Sequence, residues 1–97
     1  MSAPVSRAFE CVWALQGQSF NGLRLKALAQ AVGQSEPTTL RDLNTLAEIG
    51  VVERIPGREE FWRLSPRLVQ VAIAHAAEVA RHQQALSDFT QRYSRAP

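Results

Sequence analysis

Several residue types on which particular protein classes depend are scarce in this chain. Cysteine occurs once among 97 residues, as Cys11, so an internal disulfide cannot form, and no secretory segment is visible. No apolar run approaches the roughly 18–20 residues that a membrane-spanning helix requires. We therefore expect a protein of the reducing cytoplasm that has no membrane partner.

Motifs of catalysis and cofactor binding are missing too. The sequence has no glycine-rich phosphate loop, no nucleophile elbow and no cysteine–histidine cluster with metal-ligand spacing. The carboxylates of Asp42, Glu48, Glu59 and Glu60 are isolated from one another, with no pocket evident around them. We expect neither an enzyme nor a cofactor or metal site.

Lysine is nearly absent, because ten of the eleven basic residues are arginine and Lys26 is the exception. The formal net charge is only +2, so the positions of the arginines are more informative than their sum. Arginine is suited to bidentate contacts with phosphate groups and guanine edges. With 45% hydrophobic residues, the chain can form one modest core without metal or disulfide support.

The most informative stretch is residues 22–50, which predicts two short amphipathic helices. Their apolar positions recur at helical spacing, in the first at Leu25, Leu28, Ala29 and Val32 and in the second at Leu40, Leu43, Leu46, Ala47 and Ile49. Gly33 is placed to end the first helix, Ser35 to cap the second, and Pro37 to lie in its first turn. Such a short connection forces the helices to cross sharply. This is typical of a helix-turn-helix, whose second helix lies in a DNA major groove.

Two β-prone runs follow the helix pair. Residues 51–53 and 61–64 are separated by turn-forming residues at 55–59, which predicts a hairpin that serves as a wing. Residues 20–23, which precede the helix pair, predict a short edge strand beside this hairpin.

Upstream of these elements, residues 5–16 predict a first helix. Its inward residues are expected to be Val5, Phe9, Val12 and Leu15. The complete pattern predicts a fold that is mainly α with a small β-wing. We expect a winged helix-turn-helix domain in residues 1–66, followed by a long C-terminal dimerisation helix in residues 67–95.

The C-terminal third predicts one long helix, because neither glycine nor proline interrupts the chain between Pro66 and Pro97. A heptad seam runs along it at Leu68, Ala72, His75, Val79, His82, Leu86, Phe89 and Tyr93. A second stripe widens the apolar face at Val69, Ile73, Ala76 and Ala80. The wing domain is too small to cover such a helix, so we expect a homodimer formed through the seam.

Two seam residues, His75 and His82, admit more than one interpretation. They could titrate near neutral pH and loosen a dimer, or recruit a metal ion across its interface. Two turns of helix separate them, which is too far for one ion on a single helix, and no further ligand completes a tetrahedral set. Packed, hydrogen-bonded histidines are the favoured interpretation.

Several short segments within residues 5–68 together form a pattern that is typical of one protein family. They are Val5-Ser6-Arg7-Ala8, Gly22-Leu23-x-Leu25, Leu28-Ala29-x-Ala31-Val32-Gly33-x-Ser35, Thr38, Arg41, Thr45-Leu46, Gly50-x-Val52-Glu53-Arg54 and Arg63-Leu64-x-Pro66-Arg67-Leu68. With these segments the chain resembles the N-terminal DNA-binding domain of IclR-type transcriptional regulators. The resemblance implies a bacterial or phage repressor or activator that binds operator DNA as a dimer. Because the sequence stops at residue 97, we expect it to lack the effector-binding domain and hence a metabolite sensor.

The sequence departs from that family pattern in the second helix of the pair. Thr39 and Asp42 stand where the pattern has apolar residues, and Leu40 replaces a polar one. These departures predict that the helix is rotated by part of a turn. Glu36 and Asp42 also offset the charge of Arg41, so this helix is not basic.

The candidate DNA contacts fall into three groups. On the recognition helix they are Ser35, Thr38, Thr39, Arg41, Asn44 and Thr45. Arg24 and Lys26, at the start of the preceding helix, are expected to contact the DNA backbone, and Arg54 and Arg58 are expected on the wing.

Two functions remain open at this point. The first is a dimeric, sequence-specific regulator of double-stranded DNA, acting as a repressor on a near-palindromic operator. The second is a winged-helix protein-interaction or assembly module that does not read DNA, an interpretation favoured by Glu36 and Asp42. Duplex binding that weakens steeply with salt would favour the regulator.

Overall fold

The computed structural model describes residues 3–95. Its elements, in chain order, are α1 (Pro4–Ala14), β1 (Leu23–Arg24), α2 (Leu25–Val32), α3 (Glu36–Glu48), β2 (Val52–Ile55), β3 (Arg58–Leu64) and α4 (Pro66–Ser94). The predicted fold class is confirmed: the chain is mainly helical, with a small antiparallel wing and a long C-terminal helix.

The turn between α2 and α3 has the predicted chemistry. Gly33 adopts the left-handed conformation, at φ +69°, and ends α2. Ser35 caps α3, because its side-chain oxygen accepts a hydrogen bond of 3.2 Å from the backbone N–H of Thr38. Pro37 lies in the first turn of α3, where its missing N–H costs nothing.

The three strands form one antiparallel sheet in the order β1-β3-β2. Leu23 is paired with Trp62 and Arg24 with Phe61, so β1 is the predicted edge strand, although it lies later than residues 20–23. Just before β1, the chain approaches β3 so closely that Gly22 is required. A Cβ at Gly22 would lie 2.7 Å from the carbonyl oxygen of Trp62, and its φ is +71°.

One hydrophobic core joins α1, α2, α3 and the sheet. Its buried members are Cys11, Val12, Leu15, Leu28, Leu43, Leu46, Val52 and Trp62. We call residues 4–65, which surround this core, the winged-helix body.

The predicted inward face of α1 is partly wrong. Val12 and Leu15 are buried, but Val5 is 69% exposed and Phe9 is 40% exposed, while Cys11 lies in the core instead. The face that packs on the body therefore includes Cys11 and Val12, and Phe9 lies at its edge. On α3, Ile49 was expected inside the core, but it follows the helix as its C-cap residue and is exposed.

The helix α4 extends away from the body. It begins at a cap in which the Ser65 hydroxyl accepts from the N–H of Leu68 and donates to the carbonyl oxygen of Gly50. Beyond Val69, every residue up to residue 95 is exposed. No helix within the described residues 3–95 is long and apolar enough to span a membrane.

Candidate nucleic-acid interface

The outer face of α3 carries most of the predicted recognition residues. Leu43 and Leu46 fix the inner face of the helix in the core, which leaves Arg41, Asn44 and Thr45 exposed and Thr38 half-buried. The Thr45 hydroxyl donates to the carbonyl oxygen of Arg41 at 3.1 Å, so its oxygen remains available as an acceptor. This face combines donors and acceptors that can read the edges of base pairs.

Thr39 was predicted to contact DNA, and the structure contradicts this. Its side chain is completely buried, and its hydroxyl donates to the carbonyl oxygen of Ser35 at 2.9 Å. Thr39 therefore completes the capped first turn of α3 from the inside. A bond back to a carbonyl four residues earlier allows a threonine to replace an apolar residue at a buried helical position.

Asp42 is the second polar residue on the inner face of α3. The Arg7 guanidinium on α1 donates to both of its carboxylate oxygens, from Nε at 2.7 Å and from Nη2 at 3.0 Å. This hydrogen bonding raises the pKa of Arg7 above its ordinary value. Thr39 and Asp42, the two departures from the family pattern, thus stay on the buried face of α3, where each has a polar partner. The helix is not rotated to expose them.

The pairing of Asp42 also changes the electrostatics of α3. Because Arg7 neutralises its carboxylate, Asp42 does not offset Arg41 on the outer face as the sequence suggested. The acidic residues that remain exposed on this helix are Glu36 and Glu48, one at each end. Arg41 is exposed on the same helix, five residues after Glu36 and seven residues before Glu48.

The wing holds arginines against aromatic rings. The guanidinium carbons of Arg58 and Arg24 lie 4.2 Å and 4.9 Å from the centroid of the Phe61 ring. Arg54 lies 4.3 Å from the centroid of Trp62 and donates to the carbonyl oxygen of Glu59 at 2.8 Å. Stacking on a ring restricts a guanidinium while its N–H groups stay available to an acceptor.

The aromatic supports were not predicted from the sequence. Phe61 and Trp62 were assigned only to a β-prone run, and the strand register decides what they do. Phe61 is the direct cross-strand neighbour of Arg24, and Trp62 is that of Arg54. The sequence does show arginine and aromatic residues concentrated in adjoining strands. They become cross-strand partners only in the register that the strands adopt here.

A cleft of about 380 Å³ lies where the wing meets α2 and α3. Its lining includes Arg24, Lys26 and Arg54 as cations, with Glu60 as the single carboxylate among its described lining residues. The structure thus brings these three predicted contacts together. Arg41 lines a different depression, between α3 and α1, so recognition helix and wing present two separate sets of groups.

The remaining candidate chemistry finds little support. Within residues 3–95, no group of three or more histidine, cysteine or acidic side chains is arranged to hold a metal ion. Cys11 is buried in the core, and burial raises the pKa of its thiol to about 11, which keeps it protonated at neutral pH. The described seam residues on α4 beyond Leu68, including His75 and His82, are exposed.

The family comparison agrees with this geometry. The IclR helix-turn-helix domain matches residues 4–56, which is more than half of the chain and runs from α1 through β2. The chain belongs to the IclR helix-turn-helix family. No curated protein sequence matches it. Membership of the family identifies a DNA-binding transcription regulator whose domain is regulatory rather than catalytic.

Proposed function

We propose that this protein is a sequence-specific repressor that binds double-stranded DNA as a homodimer on a near-palindromic operator. In this proposal residues 1–66 bind DNA and residues 67–95 form the dimer. It acts without a cofactor in the cytoplasm of a bacterium, encoded by the bacterium or by a phage. Occupying the operator is sufficient for repression, because it excludes other proteins from the same DNA.

The observation that carries the proposal is the combination of an exposed α3 face with a row of ring-supported arginines. In the proposed complex, Arg41, Asn44 and Thr45 read base edges in the major groove. Arg24 and Arg58, both supported by Phe61, contact phosphates on the flanking backbone. The separate positions of these groups match the division between base reading and backbone positioning.

The homodimer is supported by the exposure of α4. Within the described residues 66–94 no side chain is buried. Even the large apolar side chains of Leu86, Phe89 and Tyr93 are each at least 60% exposed. A helix of this length gains most of its stability from packing of an apolar face. A second copy supplies an identical face, and two recognition helices related by a two-fold axis suit two half-sites.

The alternative is a winged-helix module that binds protein and does not read DNA. Exposed Glu36 in the first turn of α3 favours it, because a carboxylate there opposes an approaching phosphate. Asp42, which the sequence also assigned to this interpretation, gives it no support, because Arg7 neutralises it.

Selection of bound fragments from random duplex DNA tests the proposal. We expect one enriched motif with two-fold symmetry, bound with an affinity that falls steeply as salt rises. No duplex binding at low salt would contradict the proposal and support the protein-interaction module.

Two arginine variants then separate reading from positioning. Arg41→Ala should lose on the order of 1–3 kcal/mol of preference for the selected base, whereas Arg58→Ala should weaken all sequences alike and lower the salt slope by about one. Arg81→Ala, on the exposed surface of α4, is the matched control. Unchanged discrimination by Arg41→Ala would remove Arg41 from the reading residues.

A further inference from the structure

An apolar groove is open to solvent where the helix α4 meets the body. It lies between α1 and the first turns of α4 and has a volume of about 490 Å³. We propose that two α4 helices pair antiparallel, so that Phe89 and Tyr93 of each copy cover this groove of the other. This inference rests on the proposed homodimer and specifies its arrangement.

The groove has the composition of an unfilled helix-packing site. Its lining includes Phe9 and Trp13 from α1 and Leu68, Ala72 and His75 from α4. The rings of Phe9 and Trp13 lie 5.7 Å apart, and Trp13 is 61% exposed. Leu68, Ala72 and His75 belong to the heptad seam, so the groove is continuous with the seam on which a second helix would lie.

The seam is symmetric about its own midpoint, between residues 80 and 81. In an antiparallel pair centred there, the facing layers are Leu68 with Tyr93, Ala72 with Phe89, His75 with Leu86, and Val79 with His82. All eight seam residues find a partner in this register, and each layer joins the two alternating seam positions of the heptad, as antiparallel packing requires.

Residue size favours this arrangement over a parallel one. In the antiparallel register the largest side chains of the seam, Phe89 and Tyr93, face smaller ones, of which Ala72 is the smallest. In a parallel pair, Ala72 would face Ala72 of the other copy and leave a gap in that layer. Phe89 would face Phe89 of the other copy, and that layer would be crowded. Close-packed interfaces exclude both.

The area involved fits a second copy as the occupant. Phe9, Trp13, Phe89 and Tyr93 are 40%, 61%, 60% and 73% exposed. An aromatic side chain buries about 150–250 Å² in total, so the exposed parts of these four amount to roughly 350–600 Å² per copy, and the other six seam residues bring the buried area to about 800 Å². That is about the area per partner of a stable protein interface.

The antiparallel arrangement also fixes the distance between the two winged-helix bodies. Leu68 of one copy lies beside Tyr93 of the other, and at 1.5 Å rise per residue the two bodies are separated by roughly 37 Å along the helix pair. One turn of B-DNA between half-site centres spans about 34–36 Å. We therefore expect the selected motif to contain half-sites about one turn apart.

Distances between spin labels on the full chain test the pairing. Gln70, Gln84 and Gln91 all lie at the outermost heptad position of α4, opposite the seam, so each can be replaced by a labelled cysteine without entering the interface. Buried Cys11 remains in place as a protected thiol. Antiparallel pairing predicts distances between the two copies at Gln70→Cys and Gln91→Cys that exceed the distance at Gln84→Cys by roughly 10 Å or more.

The distance at Gln84, near the midpoint of the seam, is the reference that distinguishes an antiparallel pair from a parallel one. Equal distances at all three positions would show a parallel pair and overturn the inference, as would a monomeric protein in sedimentation. Duplex binding by the unlabelled protein is measured alongside. Binding combined with equal distances overturns the pairing alone, whereas unequal distances without binding overturn the regulator and leave the pairing in place.

A size exchange within one layer gives an independent test. Ala72→Phe and Phe89→Ala should each weaken dimerisation by about tenfold or more, because one crowds the layer and the other empties it. The double variant exchanges the two side chains across the same layer and should recover most of the loss. Failure of the double variant to recover, in a protein with an unchanged helical signal, would overturn the antiparallel register.

Discussion

The winged-helix body and α4 differ in how their apolar residues are used. In the body, side chains that are distant in sequence, such as Val12, Leu43 and Trp62, are buried against one another. In α4, apolar residues recur just as regularly, yet the described residues 66–94 include none that is buried. The core of the body is thus closed within one chain, whereas the described residues leave the seam of α4 uncovered beyond its first turn.

The largest expected effect is the loss of a core leucine. Leu43→Ala should lower the free energy of unfolding by about 2–5 kcal/mol, because the side chain is fully buried and its removal leaves a cavity. Denaturant unfolding followed by tryptophan fluorescence measures it. Leu86→Ala on α4 is the matched control and should leave the body's stability unchanged in dilute, monomeric protein. Equal losses of unfolding free energy in the two variants would contradict the difference between the body and α4.

A second prediction concerns two glycines with similar backbone angles. Gly22→Ala should destabilise the body by about 1–3 kcal/mol more than Gly57→Ala, because overpacking adds to the backbone strain at Gly22. The φ angles are +71° and +80°, but a Cβ meets the sheet only at Gly22 and has nothing within 4 Å at Gly57. Thermal melts of both variants measure the difference, and equal melting temperatures would contradict the tight approach at β3.

Two ion pairs sharpen the comparison between the interior and the surface. Asp42→Asn should cost about 1–3 kcal/mol of stability, because it leaves the half-buried Arg7 with a weaker partner. The control, Glu53→Gln, breaks the pair with Arg63 and should cost about 0–1 kcal/mol. The carboxylate side chains are 9% and 32% exposed, respectively. Urea unfolding at pH 7 measures both, and a larger loss for Glu53→Gln would contradict the burial of Asp42.

The smallest effect is a pH dependence from Cys11. Its thiol has a pKa of about 11 in the folded protein, against an ordinary value of 9.0. The neutral thiol therefore favours the folded state below pH 9, and this contribution is lost as the pH rises toward 11. Urea midpoints measured between pH 8 and 11 should fall more steeply for the native sequence than for Cys11→Ala. Parallel curves would show that the thiol is solvated.

Local sequence patterns were sufficient for the elements of this fold. Gly33 and Ser35 identified the turn between α2 and α3 because their chemistry acts over only a few residues. The wing was recognisable because turn-forming residues separate its strands. The hydrophobic period likewise predicted that Val12 and Leu15 would be buried.

The predictions that failed depended on distant partners. Asp42 reads as a surface carboxylate until Arg7, 35 residues away in sequence, is placed beside it. Thr39 reads as a groove contact until its hydroxyl is paired with the carbonyl oxygen of Ser35. On α1, helical spacing alone does not decide which residues face the core, and Cys11 is buried there while Val5 and Phe9 are exposed.

The cap at Ser65 ties the start of the long helix to the segment that follows α3. The Ser65 hydroxyl joins the first turn of α4 to Gly50, two residues after the end of α3, and this contact acts as a joint between the two helices. With 29 residues at 1.5 Å each, α4 is an arm of about 43 Å, and a tilt of about 5° at the joint moves its far end by about 4 Å. In the proposed homodimer, a change in the tilt of α4 alters the distance between the two recognition helices, so Ser65→Ala, which removes both hydrogen bonds, should widen the range of half-site spacings that the dimer accepts.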